Sequence, residues 1–282
     1  MNTKTACEQI STYEVLEHIM GIKGLHPHRL STIDAMRQKL ADHVVSCPEL
    51  SQGTILDIGC GTGQGTRDMA LRLGGKVRVI GIDINEFAIE EARIEHVDIG
   101  NLSFFHGDLK SFQIAYTESK IAGVISVSMS MFVPEIHEFY KEVHDALIPG
   151  GIFIDAPFTF RESHNEVTDE LKLRTYSMCG CNMRMFMGSQ LKSALQTTGF
   201  YSIDHVTHDF DLMNLPILFK DYPLRYLLGN FVKNVAKPPA HFGSASSSYL
   251  AKRTMSIFGF FLRNKKMYAG GELVAIKTRD AS

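Results

Sequence analysis

The sequence predicts an α/β protein built on a largely parallel sheet with helices on both faces. Three observations carry this. Between residues 54 and 157, five short, nearly continuous apolar runs alternate with segments of helical periodicity, the pattern of strands buried on both faces. A glycine-rich turn joins the first run to the first of those helices. The 282 residues, 44% hydrophobic and 21% charged, match an ordinary globular protein with a large core, in one large or two small domains.

Taken in order, the first fifty residues read as helical. Tyr13, Leu16, Ile19 and Met20 fall at helical spacing, Gly21, Gly24 and Pro27 break it, and Ser31-Thr-Ile-Asp34 gives a capping-box-like start to a helix ending near Val45. Thr54–Ile58 is the first strand and Gln64–Leu73 a helix. Val77–Asp83 is the second strand, and Glu86–Val97 a helix with Glu90, Glu91 and Arg93 on its wet side. Leu102–His106 and Ala122–Ser128 are the third and fourth strands. Ile136–Leu147 is a helix closed by Pro149-Gly150-Gly151, and Gly151–Pro157 is the fifth strand. Beyond Phe158 the alternation lapses. Ser189–Thr198 is a helix stopped at Gly199, Tyr201–Asp209 a sixth strand and Gly271–Lys277 a last one.

These elements divide the chain into a helical cap (1–50), a core (51–160), a Met/Cys-rich insertion (161–188), a core helix and strand (189–210), a basic apolar helical lid (211–267), and a last strand with its tail (268–282). Disorder, collagen and coiled coil are excluded as global descriptions. The net charge of −2 argues against nucleic acid as a partner. No uncharged apolar run is long enough for a transmembrane helix, and the first residues lack the apolar stretch of a signal peptide. Five scattered cysteines point to reduced thiols and a cytoplasmic setting.

The most informative stretch is Ile55-Leu-Asp57-Ile-Gly59-Cys-Gly61-Thr-Gly63-Gln-Gly65. Following a strand and opening a helix, it lets backbone approach a ligand at a helix N-terminus. Asp83 ends the second strand, 20 residues after Gly63, where a carboxylate can accept both hydroxyls of a ribose. Asp108 follows the third strand in His106-Gly-Asp108-Leu109 and is placed to receive an adenine amino group. The dinucleotide pattern G-x-G-x-x-G fails by spacing, since Gln64 or Thr66 stands where its last glycine belongs. The Walker A pattern fails too, because no Gly-Lys-Ser/Thr is present.

Asp57-x-Gly59-x-Gly61-x-Gly63, then Asp83, then Gly107-Asp108-Leu109, then Leu147-Ile-Pro-Gly-Gly151, resembles the class I S-adenosylmethionine-dependent methyltransferases over about residues 50–160. The resemblance implies a seven-stranded Rossmann-like sheet, parallel but for an antiparallel last strand. It also implies S-adenosylmethionine as cofactor. Gly59, Cys60, Gly61 and Gly63 would cradle its methionine part, with Asp57 supporting the amino end. Asp83, with Ile84 beside it, would hold the ribose, and Asp108 and the Leu109 backbone the adenine. Ser126 would lie near the methionine carboxylate or the reactive methyl. No metal is implied.

The fourth strand runs into Ser126-Val-Ser-Met-Ser130-Met-Phe-Val-Pro134. It lacks the Asn/Asp-Pro-Pro-aromatic motif of enzymes that methylate planar amino groups, so a small, partly apolar acceptor is favoured. The segment ahead of the glycine loop (Tyr13-Glu14, then Gly24-Leu-His-Pro27) is loosely similar to the phosphoethanolamine, sterol and quinone methyltransferases. Transfer from a sulfonium is an in-line displacement with a neutral leaving group, which mainly requires alignment and exclusion of water. The catalytic residue is not identified. An acceptor needing a general base has His26, His28, Glu135, His137 and His164 as candidates. Met178-Cys179-Gly-Cys181-Asn-Met183-Arg-Met185-Phe-Met187 reads as an adaptable apolar wall rather than a site for a thiophilic ion. Residues 212–267 hold nine Lys and Arg against the single acid Asp221 among apolar helical stretches. Three readings stay open for them: a solvated lid, a surface for an anionic acceptor or acidic carrier, and contact with an anionic membrane. A fold of this type can also bind the cofactor without transferring its methyl.

Overall fold

The computed structural model describes residues 31–162, 169–173, 184–209 and 265–278, with residues 256, 260 and 263. The helix expected around Tyr13–Met20, most of the Met/Cys-rich insertion and nearly all of the basic segment 212–267 lie outside the described residues.

Helices α1 (Ser31–Ser46) and α2 (Pro48–Ser51) lead into β1 (Thr54–Ile58), α3 (Gln64–Leu73), β2 (Arg78–Asp83), α4 (Glu86–Glu95) and β3 (Leu102–His106). There follow α5 (Leu109–Ala115), β4 (Ile121–Val127), α6 (Ile136–Ala146), β5 (Leu147–Ala156), β6 (Phe158–Phe160), α7 (Gly188–Gln196), β7 (Phe200–Asp209) and β8 (Tyr268–Lys277). The strands form one sheet in the order β3-β2-β1-β4-β5-β8-β6, with β7 pairing on β8. The β3, β2, β1, β4 and β5 ladders are parallel, whereas β8 runs antiparallel to β5, β6 and β7.

The expected seven strands become eight segments because Pro157 offers no N–H to the ladder. It divides β5 from β6, and both segments pair with β8. The Pro149-Gly150-Gly151 stop is also taken up differently. Helix α6 ends at Ala146, and Leu147 already begins β5. A register shift between Ile121 and Gly123 absorbs the irregular stretch, with Gly150 at φ 79°.

Two apolar layers sandwich the sheet. One holds Leu56, Val124, Phe153, Tyr140 and Leu191 beneath α5, α6 and α7; the other holds Ile55, Ile125, Ile154, Leu40 and Met69 beneath α1 and α3. Residues 31–46, assigned to the helical cap, pack against the sheet. Ile33, Met36, Leu40 and Val44 are buried at three- and four-residue spacing against β4 and β5. On the same stripe lies Arg37, only 1% exposed and among the largest fully buried side chains.

Candidate functional site

The strand order reverses between β1 and β4, and the crevice outside the carboxyl ends of such strands is where open α/β sheets bind ligands. The glycine turn forms one wall of that crevice. Gly59, Gly61 and Gly63 all have left-handed φ values of 75°, 54° and 81°, a region that costs other residues energy. Close approach constrains two of them further. A Cβ at Gly63 would stand 2.5 Å from the Phe104 ring, and one at Gly59 would stand 2.6 Å from Met129 Cγ. At Gly61 a Cβ would meet nothing within 4 Å, so this glycine opens onto free space. The Gly59 and Cys60 amides donate to the Ile82 carbonyl at 2.8 and 3.2 Å, tying the turn to β2. Gly63 caps α3, so the helix N-terminus faces the crevice. Cys60 is buried, and burial pushes its thiol well above the ordinary value. It is an uncharged packing group rather than a nucleophile.

Asp83 ends β2 beside this turn. Its Oδ2 accepts the Gly61 amide at 2.8 Å and its Oδ1 the Asn85 amide at 2.9 Å. Each carboxylate oxygen keeps a further lone pair. Ile84 is 76% exposed, an apolar surface next to the acid. Asp108 caps α5 in a capping box. Its Oδ1 accepts the Ser111 amide at 2.8 Å, and its own amide donates to Ser111 Oγ at 2.9 Å. Those Ser111 hydrogen bonds hold its carboxyl below the ordinary value, and its Oδ2 stays available among the described residues. Leu109 is buried at the first position of α5.

Asp57 is placed deeper than the resemblance suggests. It is 3% exposed and shares the α1/α3 face of the sheet with Ile125 by register. Thr66 Oγ1 donates to its Oδ2 at 2.7 Å. Burial pushes its carboxyl up, while the Arg37 charge and the Thr66 bond pull it back. Burial likewise lowers the Arg37 value, opposed first by Asp57. Sequence reading missed Arg37, although a charge inside an apolar helical stripe was a visible signal.

On the opposite face, β5 presents a second buried carboxylate that sequence reading also missed. Asp155 is 0% exposed and pairs in register with Ser126 of β4, itself 0% exposed. Tyr140 Oη donates to Asp155 Oδ2 at 2.7 Å. Burial pushes the Asp155 carboxyl up to about 6, with the hydroxyls of Tyr140, Ser130 and Ser126 acting to lower it. Asp155 Oδ1 and Ser126 Oγ nevertheless lack hydrogen-bond partners among the described residues. Ser126, expected near the reacting methyl, is thus sealed beneath the turn that follows β4.

Of the general-base candidates, His26, His28 and His164 lie outside the described residues. Glu135 caps the start of α6, exposed and 3.6 Å from Arg184 Nη1. His137 is exposed, with Nδ1 3.2 Å from Thr197 Oγ1. Both line a groove of about 510 Å³ between α6, α7 and residues 184–186. Neither has a pairing that would make it a base. Among the described residues no group of three or more His, Cys, Asp or Glu is placed to hold a metal ion, and no helix is long and apolar enough to cross a membrane.

The crevice fits S-adenosylmethionine on its own features. An amide-lined turn opens at Gly61, a helix N-terminus lies beside it, and two carboxylates with spare acceptor capacity stand at successive strand ends. The chain also resembles known proteins. A family model described as a methyltransferase domain matches residues 49–209. The 24-methylenesterol C-methyltransferase 3 of Arabidopsis thaliana is 28% identical over 119 residues, covering 42% of this chain and 33% of its own. The sterol 24-C-methyltransferase erg6 of Aspergillus fumigatus is 25% identical over 189 residues, covering 65% and 47%. This chain thus spans between a third and a half of the length of these relatives. The solved structure of Haemonchus contortus phosphoethanolamine N-methyltransferase 2, with phosphomonomethylethanolamine and S-adenosylhomocysteine, superposes with a TM-score of 0.64. It is 15% identical and covers 99% of this chain and 61% of its own. The match over more than half the chain, on the sheet order and glycine turn described above, shows that the protein belongs to the methyltransferase-domain family and has the Rossmann-like fold of class I S-adenosylmethionine-dependent methyltransferases.

Proposed function

We propose that this protein transfers a methyl group from S-adenosylmethionine to a small, partly apolar molecule. The observation that carries the reading is the glycine turn opening at Gly61 with Asp83 bonded to its amide. The cofactor would supply an activated methyl on a neutral leaving group. The chain's own part is to bind and orient. Gly59–Gly63 offer backbone, Asp83 accepts hydroxyls, and Asp108 accepts through its spare oxygen. The 128–133 turn, with Met131 buried and Phe132 half exposed, walls the acceptor side against water. The named activity of the sterol relatives supports an apolar acceptor. We also infer a cytoplasmic setting, with the basic segment 212–267 as the surface that meets an anionic or membrane-borne acceptor.

Incubation of the purified protein with methyl-labelled S-adenosylmethionine and a fractionated cell extract tests this. Label in the small-molecule or lipid fraction is expected. Label in protein or RNA contradicts the acceptor class. Bound cofactor with no label in any fraction contradicts methyl transfer.

A further inference from the structure

Strand β2 anchors the first half of the glycine turn. Its Ile82 carbonyl takes the Gly59 and Cys60 amides, and Asp83 takes the Gly61 amide. The second half is anchored from the far end of α4. His96, the C-terminal cap of that helix, is buried, and its Nε2 lies 3.1 Å from the Thr62 carbonyl oxygen. A carbonyl only accepts, so Nε2 carries the proton and donates. The same peptide is tied at its other end, where the Gly63 amide donates to the Cys60 carbonyl at 3.0 Å. The imidazole also packs. Its centroid lies 5.9 Å from that of the Phe104 ring. A Cβ on Gly63 would stand 3.1 Å from His96 Cδ2 and 2.5 Å from Phe104, so the two rings together floor the turn.

We propose that His96 is a positioning residue of the cofactor crevice: by holding the Thr62 carbonyl toward the protein interior, it keeps that oxygen out of the crevice and leaves amide donors there. This rests on the function proposed above. Helix α3 starts at Gly63 without a side-chain cap, so its first amides are left for a ligand. The methionine part of S-adenosylmethionine brings a carboxylate, which amides attract and a carbonyl oxygen repels. Without a donor at position 96 the Thr62 oxygen is buried and unpaired, a cost relieved by turning the peptide toward water in the crevice. Gly63 permits that change, because glycine takes either sign of φ. The β2 anchors act on the Gly59, Cys60 and Gly61 amides, so they do not hold the Thr62–Gly63 peptide. Turning it also breaks the Gly63–Cys60 bond, and the loop loses its shape along with its polarity.

The test is calorimetric binding of S-adenosylhomocysteine at pH 7.5 to wild type and three variants, with urea unfolding of each. His96→Phe keeps a ring on the floor of the turn and removes the donor. It is expected to bind about fivefold more weakly, the worth of one hydrogen bond. His96→Gln keeps an N–H near the place of Nε2 and is expected to stay within about twofold of wild type. Ile89→Val thins the small apolar cluster that Ile89 shares with Cys60, Ala92 and Phe104 and leaves the hydrogen bond in place. It is expected to lose stability but not affinity. Wild-type affinity in His96→Phe, a loss in His96→Gln as large as in His96→Phe, or an equal loss in Ile89→Val overturns the assignment. NMR of the ring nitrogens in wild type answers whether or not the variants fold: Nε2 is expected to carry a proton, and a bare Nε2 overturns the proposal. A wild type that does not bind S-adenosylhomocysteine overturns the cofactor reading and this inference with it. Wild-type binding that is indifferent to position 96 overturns only the role of His96.

Discussion

Asp57 and Asp155 stand at the carboxyl ends of β1 and β5, with β4 between them, and their side chains enter opposite faces of the sheet. Both are almost completely buried, and burial raises both carboxyls. Their company differs. The Arg37 charge acts on Asp57, which also accepts from a threonine hydroxyl; among the described residues only hydroxyls act on Asp155. The first lies within the electrostatic reach of a buried cation on α1. The second is a carboxyl that burial pushes up to about 6, in register with the end of β4. Compensation by a full charge makes a buried acid a fixed strut, and compensation by hydroxyls alone leaves it responsive to pH.

Removing the cation breaks this comparison most severely. Arg37→Leu leaves the buried Asp57 without the charge that opposes its burial and should destabilise the fold by about 3 kcal/mol. Adding Asp57→Asn should restore much of that loss, which a denaturation cycle over the four proteins would read. The next effect belongs to Asp155. Its folded value of about 6 lies above the ordinary 3.8, so the folded state binds the extra proton between those limits. The stabilisation from that proton is complete below about pH 4 and is lost as pH rises through 6. Wild type should therefore lose roughly 3 kcal/mol relative to Asp155→Asn between pH 4 and pH 7.5, measured by urea unfolding. Tyr140→Phe removes one donor to this carboxylate and should cost about 2 kcal/mol at pH 7.5, with less effect at pH 4. Asp108 supplies the exposed counterpart. Asp108→Ala deletes a helix cap and should cost about 1 kcal/mol, without the pH 4–6 dependence of Asp155.

The sheet was legible because its strands are short apolar runs. Leu102–His106 and the helix Gln64–Leu73 have the bounds that periodicity predicts. Helix α5 escaped because its seven residues bury only Leu109 and Phe112, too few to show a period. The surface of the crevice was legible as well, because glycine spacing and strand-end acids are local features: Gly59–Gly63, Asp83 and Asp108 meet around one opening. Arg37 and Asp155 owe their roles to partners about twenty residues away on another element, or to burial from a different strand. Arg37 stands out in the sequence as a charge in an apolar stripe, but its effect on Asp57, like the register of Asp155 with Ser126, becomes visible only once α1 and β5 are placed.

The central claim is that the Gly59–Gly63 turn and Asp83 form the cofactor site. Equilibrium binding of S-adenosylhomocysteine to wild type and Asp83→Ala at pH 7.5 tests it most directly. The carboxylate accepts from Gly61 and, in the proposed function, receives the ribose, so its loss should weaken binding by about tenfold or more, the worth of hydrogen bonds to a charged group. Equal affinities for the two proteins would contradict the claim.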